Sequence, residues 1–270
     1  MHTATNDTQT TPTRFFRTFF AIFALGLPGI VSLIPTVIDL LGTLPPEMAE
    51  LPEAVLVAAS LAQSVLLLVV AVAVGTLLAH RVGLRSLVAD KVRTGAALWP
   101  ELRPHVALAV VAGVLFFAIV LVADLLVAPF ADADLANGAA TVLDLVGRLV
   151  IGILYGGITE ELLLRWGVMS LLVWLGWRIT HRGQGAPRPW LVWTAIVLAA
   201  LLFGVAHLPA LAAMVELTPL LVIRTVLLNA LGGLVFGWFY WRRSLEVAMV
   251  SHATFHVALF VVNLASLLLG

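Results

Sequence analysis

The chain has 270 residues and a formal net charge of zero, with 61% hydrophobic and 11% charged residues. A globular chain carries about 25% charged residues, so the composition excludes an ordinary soluble domain and predicts an all-α, polytopic bundle of transmembrane helices. Neutrality excludes a strongly basic nucleic-acid binder, and the absence of cysteine excludes disulfides, thiolate metal sites and a cysteine nucleophile.

Lys91 is the one lysine among 15 basic residues, and Ala, Leu and Val dominate. That bias points to a GC-rich bacterial genome and hence to a bacterial cytoplasmic membrane. Residues 1–13 are polar and Thr-rich and are expected to form a disordered cytosolic tail. Arg14 and Arg17 then lead into a first span over 19–41. It lacks the small-residue cleavage site of a signal peptide, so it is expected to be retained. A loop with three prolines covers 43–53, and a second span covers 54–78. The connection 80–104 carries Arg81, Arg85, Lys91, Arg93 and Arg103 ahead of a third span over 106–127.

An acidic loop at 129–138 precedes an apolar stretch, 141–177, that exceeds the roughly 20 residues needed to cross a bilayer. Either an amphipathic extension bearing Asp144 and Arg148 comes before the span, or Gly156-Gly157 kinks it. The length also leaves room for an eighth helix. Spans over 190–213, 219–240 and 247–269 bring the count to seven. Basic residues cluster before span one and after spans two, four and six. The positive-inside rule then predicts a cytosolic N-terminus and an outside C-terminus. Residues 14–270 read as a single transmembrane domain.

One stretch breaks the apolar pattern: Thr159-Glu160-Glu161-Leu162-Leu163-Leu164-Arg165. An ionised group at the centre of a span costs roughly 2.5–3.5 kcal/mol even on insertion scales, and such groups mark functional sites by default. Residues four apart share a helix face, so Glu161 is expected to pair with Arg165 as structural support. Glu160, about 100° round the helix, is left to face a cavity. A purely structural ion cluster would explain Glu161 and Arg165 alone, but not the second glutamate. Four of the seven histidines, His2, His80, His105 and His181, lie in tails, loops or span ends. His207, His252 and His256 lie in apolar spans. His252 and His256 are four apart, as are Phe203 and His207. Paired histidines at that spacing can clamp a divalent metal, whereas a lone one is more often a hydrogen-bonded packing residue.

Glu160-Glu161-x-x-x-Arg165, Phe203-x-x-x-His207 and His252, in that order on separate helices, resemble the three motifs of the CPBP family. These are the CAAX-protease and bacteriocin-processing (Abi, Rce1-like) intramembrane proteases. The match covers a core of about 145–263. The family's third motif usually continues with Asn or Asp four residues after the histidine, where this chain has His256. The resemblance implies hydrolysis of peptide bonds within the bilayer, in membrane-associated or lipid-modified substrates. It implies Glu160 as general base, and His207, His252 and His256 as catalytic residues and ligands of a Zn²⁺ ion. A metal-independent route, with the imidazoles stabilising the oxyanion, stays open beside it. The expected partners are the lipid bilayer and a membrane-associated peptide or protein, with no nucleic acid. Two other readings fit the same residues: a non-catalytic immunity or scaffold member of the family, and a proton-coupled transporter.

Overall fold

A computed structural model describes residues 11–42, 52–127, 141–213 and 215–269. Among them every regular element is a helix. In hydrocarbon no water satisfies the backbone, and a helix closes its own hydrogen bonds. Seven helices or helix pairs are long and apolar enough to cross a membrane: Pro12–Leu41, Glu53–Val82, Leu98–Val127, Val142–His181, Pro189–Ala212, Pro219–Arg242 and Leu245–Leu269. The chain is an integral membrane protein, with seven candidate spans among the described residues. The long fourth segment is one continuous helix and hides no eighth.

Several boundaries differ from the sequence reading. Helix α1, Thr11–Ser32, begins within the expected disordered tail; residues 1–10 lie outside the described ones. Leu33 separates it from α2, Ile34–Leu41. Pro35 lies in the first turn of α2, where its missing N–H is tolerated although it would break a helix interior. The second span is α3, Glu53–Leu78, followed by a 3₁₀ turn at Ala79–Val82. Of the loop expected at 43–53, residues 43–51 fall outside the described ones, as does the loop expected at 129–138, and Glu53 already opens α3.

The hydrophilic connection 80–104 is more ordered than its charge suggested. It contains α4, Leu87–Thr94, and the first turns of α5, Leu98–Val127. Ser86 caps α4. The buried Glu246 carboxylate accepts hydrogen bonds from Ser86 Oγ at 2.6 Å, Leu87 N at 2.8 Å and Val88 N at 3.0 Å. A negative charge is favoured at a helix N-terminus, and this one fastens α4 to the last span.

The fourth span starts with α6, Val142–Ile151, capped by a Thr141–Asp144 box in which each side chain bonds the other's backbone. Asp144 thus caps the start of the helix. The helix then widens into two π-helical stretches, Gly152–Glu160 and Leu162–Met169, and closes as α7, Ser170–His181. Gly156-Gly157 lies in the first π stretch. That stretch packs on α1 and α11, and the second on α3 and α8. Helix α8, Pro189–Ala206, stops at His207, and the short α9, Leu208–Ala212, follows. Pro209 cannot donate to the Val205 carbonyl, so the helix breaks there rather than running on to 213. Helices α10, Pro219–Arg242, and α11, Leu245–Leu269, complete the bundle.

Close helix approach depends on residues without side chains, as it commonly does between membrane helices. A Cβ placed on Gly156 would lie 2.5 Å from Nε2 of His256, and one on Gly233 2.7 Å from Cα of Ala200. Replacing Gly156 with Ala is expected to destabilise the fold by about 1–3 kcal/mol, the usual cost of overpacking. Adding His256→Ala should recover most of that loss. Thermal melting of the single and double variants in detergent checks both.

Candidate active site

The π-helical stretches set the register of the fourth span. Their hydrogen bonds run from i to i+5 rather than i+4, a rare geometry often found at functional sites. Side chains follow the same register: Thr159 Oγ donates to the Leu154 carbonyl at 3.2 Å and Ser170 Oγ to the Arg165 carbonyl at 3.3 Å, each five residues back. Thr159 also bonds the Gly26 carbonyl of α1 at 2.7 Å, and Ser170 bonds the Tyr240 hydroxyl of α10 at 2.8 Å. The stretch carrying Glu160, Glu161 and Arg165 is thereby pinned at both ends.

Glu161 and Arg165 are both buried, at 0% and 1% exposure. They form the expected ion pair, with Arg165 Nη1 3.2 Å from Glu161 Oε1. Arg165 Nη2 donates to the Gly233 carbonyl at 3.3 Å. Its guanidinium carbon lies 4.8 Å from the Phe203 ring centre and 5.5 Å from that of Phe236. Cation–π contacts of this kind strengthen when desolvated. Phe203 thus supports the site from α8, as its motif position suggested.

The sequence reading missed one bond. His252 Nδ1 lies 2.9 Å from Glu161 Oε1, so the buried glutamate holds a histidine as well as an arginine. His252 is also stacked on Phe236, with centroids 4.4 Å apart. His207, at the break between α8 and α9, places Nδ1 2.8 Å from the Phe203 carbonyl. A carbonyl oxygen can only accept, so this Nδ1 carries the proton. The Glu161 carboxylate, with Arg165 beside it, fixes His252 in the same tautomer. Each neutral imidazole is left with an unprotonated Nε2.

Glu160, His207, His252 and His256 line one cavity of about 340 Å³. A second, larger space of about 680 Å³ runs between α3, the fourth span and α8, and is lined mainly by apolar residues with Gln63 and Ser64. Tyr155, Glu160, Phe203 and His207 line both. The pairing of Glu161 with Arg165 leaves Glu160 on the shared wall.

The donor set suits a divalent metal at two positions. Metal-binding histidines usually donate their other N–H to a carboxylate or a backbone carbonyl, and His252 and His207 do one each. The expected trio is not assembled: among the described residues no three His, Asp or Glu side chains are grouped as metal ligands. His256 lines the same cavity as His207 and His252. Its ring fills the notch at Gly152 and Gly156, and its Nε2 is buried with no hydrogen-bond partner.

Sequence reasoning also passed over Asp124 and Arg224, which line the 340 Å³ cavity and form an ion pair between α5 and α10. Arg224 Nε donates to Asp124 Oδ1 at 2.8 Å. Their signal was available, since each is an ionisable residue inside a span.

Removing Arg165 strands a buried carboxylate. Arg165→Ala is expected to lower stability by about 3–5 kcal/mol and to reduce the yield of folded protein. Adding Glu161→Gln should restore part of it. Yield and melting temperature of the two variants test this.

Residues 141–258 match the model of a protein family described as type II CAAX prenyl endopeptidase Rce1-like. The matched segment holds all three motifs, so the match agrees with the CPBP resemblance. No curated protein and no solved structure matches the chain.

Proposed function

We propose that this Rce1-like chain is an intramembrane endopeptidase that hydrolyses peptide bonds of membrane-associated or lipid-modified substrates, with Glu160 as general base. The observation that carries the reading is the shared wall. Glu160 and His207 border both a cavity holding polar side chains and a mostly apolar groove. Peptide hydrolysis in a bilayer needs water and an apolar substrate brought to one carboxylate, and this arrangement suits both. The apolar groove is assigned to the substrate's lipid or apolar segment, and the cavity of the three histidines to water.

In this scheme Glu160 takes a proton from a water molecule held in the smaller cavity, and the resulting hydroxide attacks the scissile carbonyl. Glu160 then returns the proton to the leaving amine. Glu161 orients His252 through Nδ1, and the Phe203 carbonyl orients His207, so both Nε2 atoms are fixed. These two nitrogens would hold a zinc ion, which when bound supplies a Lewis acid that polarises the carbonyl. His256 is assigned to packing behind His252, with ring centroids 5.1 Å apart. The positive-inside pattern supports a cytosolic N-terminus.

Glu160→Gln keeps the shape and removes the base. It is expected to abolish cleavage of a prenylated CAAX peptide reporter in nanodiscs while leaving the melting temperature unchanged. Cleavage at the wild-type rate would refute the base assignment. Metal analysis of purified protein provides a readout independent of activity. Bound zinc is expected in the wild type and its loss in both His207→Ala and His252→Ala, with His256→Ala retaining it.

A further inference from the structure

The fold holds a third polar space, remote from Glu160, at the end of the bundle where α1 begins and α3 ends. It measures about 280 Å³. Arg14 of α1, His80 and Arg81 of the 3₁₀ turn, and Arg93 of α4 line it, and none of its lining residues is acidic. Asp90, the acidic residue of α4, is bonded to Arg85 at 3.0 Å. Two further lining residues, Thr76 and Trp166, carry polar groups that are buried without a hydrogen-bond partner: the Thr76 hydroxyl and the Trp166 indole N–H. Trp166 is 3% exposed. A buried donor left unpaired is costly, and an indole N–H can be satisfied only by an acceptor.

Arg81, Arg93 and two orphaned donors around one space describe a site for an anion rich in acceptor oxygens. Guanidinium forks match phosphate geometry. We propose that this cavity binds a phosphate ester, supplied by the headgroup of an anionic phospholipid. Two observations favour a lipid as the source. The site lies at the end of two membrane-length helices, and Leu77, which lines it, is 45% exposed and offers acyl chains an apolar surface. The clasp of Glu246 on the N-terminus of α4 holds Arg93 in place on this side of the cavity.

The test uses the full chain in nanodiscs of phosphatidylglycerol or of phosphatidylcholine, followed by native mass spectrometry of retained lipid. Wild type is expected to retain phosphatidylglycerol in preference. Arg81 and Arg93 are exposed, so Arg81→Gln/Arg93→Gln should fold normally. Each lost charge is expected to weaken retention about fivefold, equivalent to about 1 kcal/mol. Trp166→Phe, which removes the N–H, should weaken retention with the arginines intact. Inorganic phosphate that raises the melting temperature of wild type but not of the double variant, with no lipid retained, would assign the same phosphate chemistry to a soluble source. Equal retention of both lipids, or phosphatidylglycerol retention unchanged in the double variant, overturns the proposal.

Discussion

The buried carboxylate of Glu161 is the constraint on which the site depends. It is a charge within a membrane-length helix, fully removed from solvent, and it is tolerable only with Arg165 and His252 beside it. Those two partners come from different places in the chain, one turn away and 91 residues away. Satisfying one charge therefore docks the last span on the fourth, sets the orientation of an imidazole, and draws the arginine against Phe203 and Phe236 of α8 and α10. The clasp leaves the neighbouring glutamate without a place in the network, and that residue borders the two larger spaces. A buried ion pair is a weak source of net stability compared with apolar packing. Its value here lies in fixing the positions of groups on four helices.

Much of this was legible in the sequence because the relevant signals are strong in a membrane chain. Seven apolar runs read directly as seven spans. Glu161 and Arg165 could be paired by spacing alone, and that pairing freed Glu160. The motif order pointed to the same family whose model matches residues 141–258. Each of these inferences depends on a residue type that is costly in hydrocarbon, so few alternatives compete.

What was not legible has two physical sources. The first is helix register. Spacing arguments assume a uniform α-helix, and two π-helical stretches lie under the key residues, with no residue in Gly152–Met169 that announces them. The second is the choice of partner among residues distant in sequence. The bond from His252 Nδ1 to Glu161 joins residues 91 apart and leaves Nε2 as the nitrogen that can face the cavity. The ring of His256 fills a recess opened by glycines at 152 and 156. A missing side chain gives no local signal of what will occupy its place. The prolines were more readable in kind than in effect: Pro209 ends α8 and so places His207 at a helix break within the fifth span.

Glu160 and His207 stand on the wall between a cavity that holds polar side chains and a mostly apolar groove. In the proposed reaction such a placement would give oily and aqueous reactants separate doorways to the same carboxylate. Traffic along one route then need not displace traffic along the other. A long hydrocarbon chain can stay seated while small polar molecules come and go from behind.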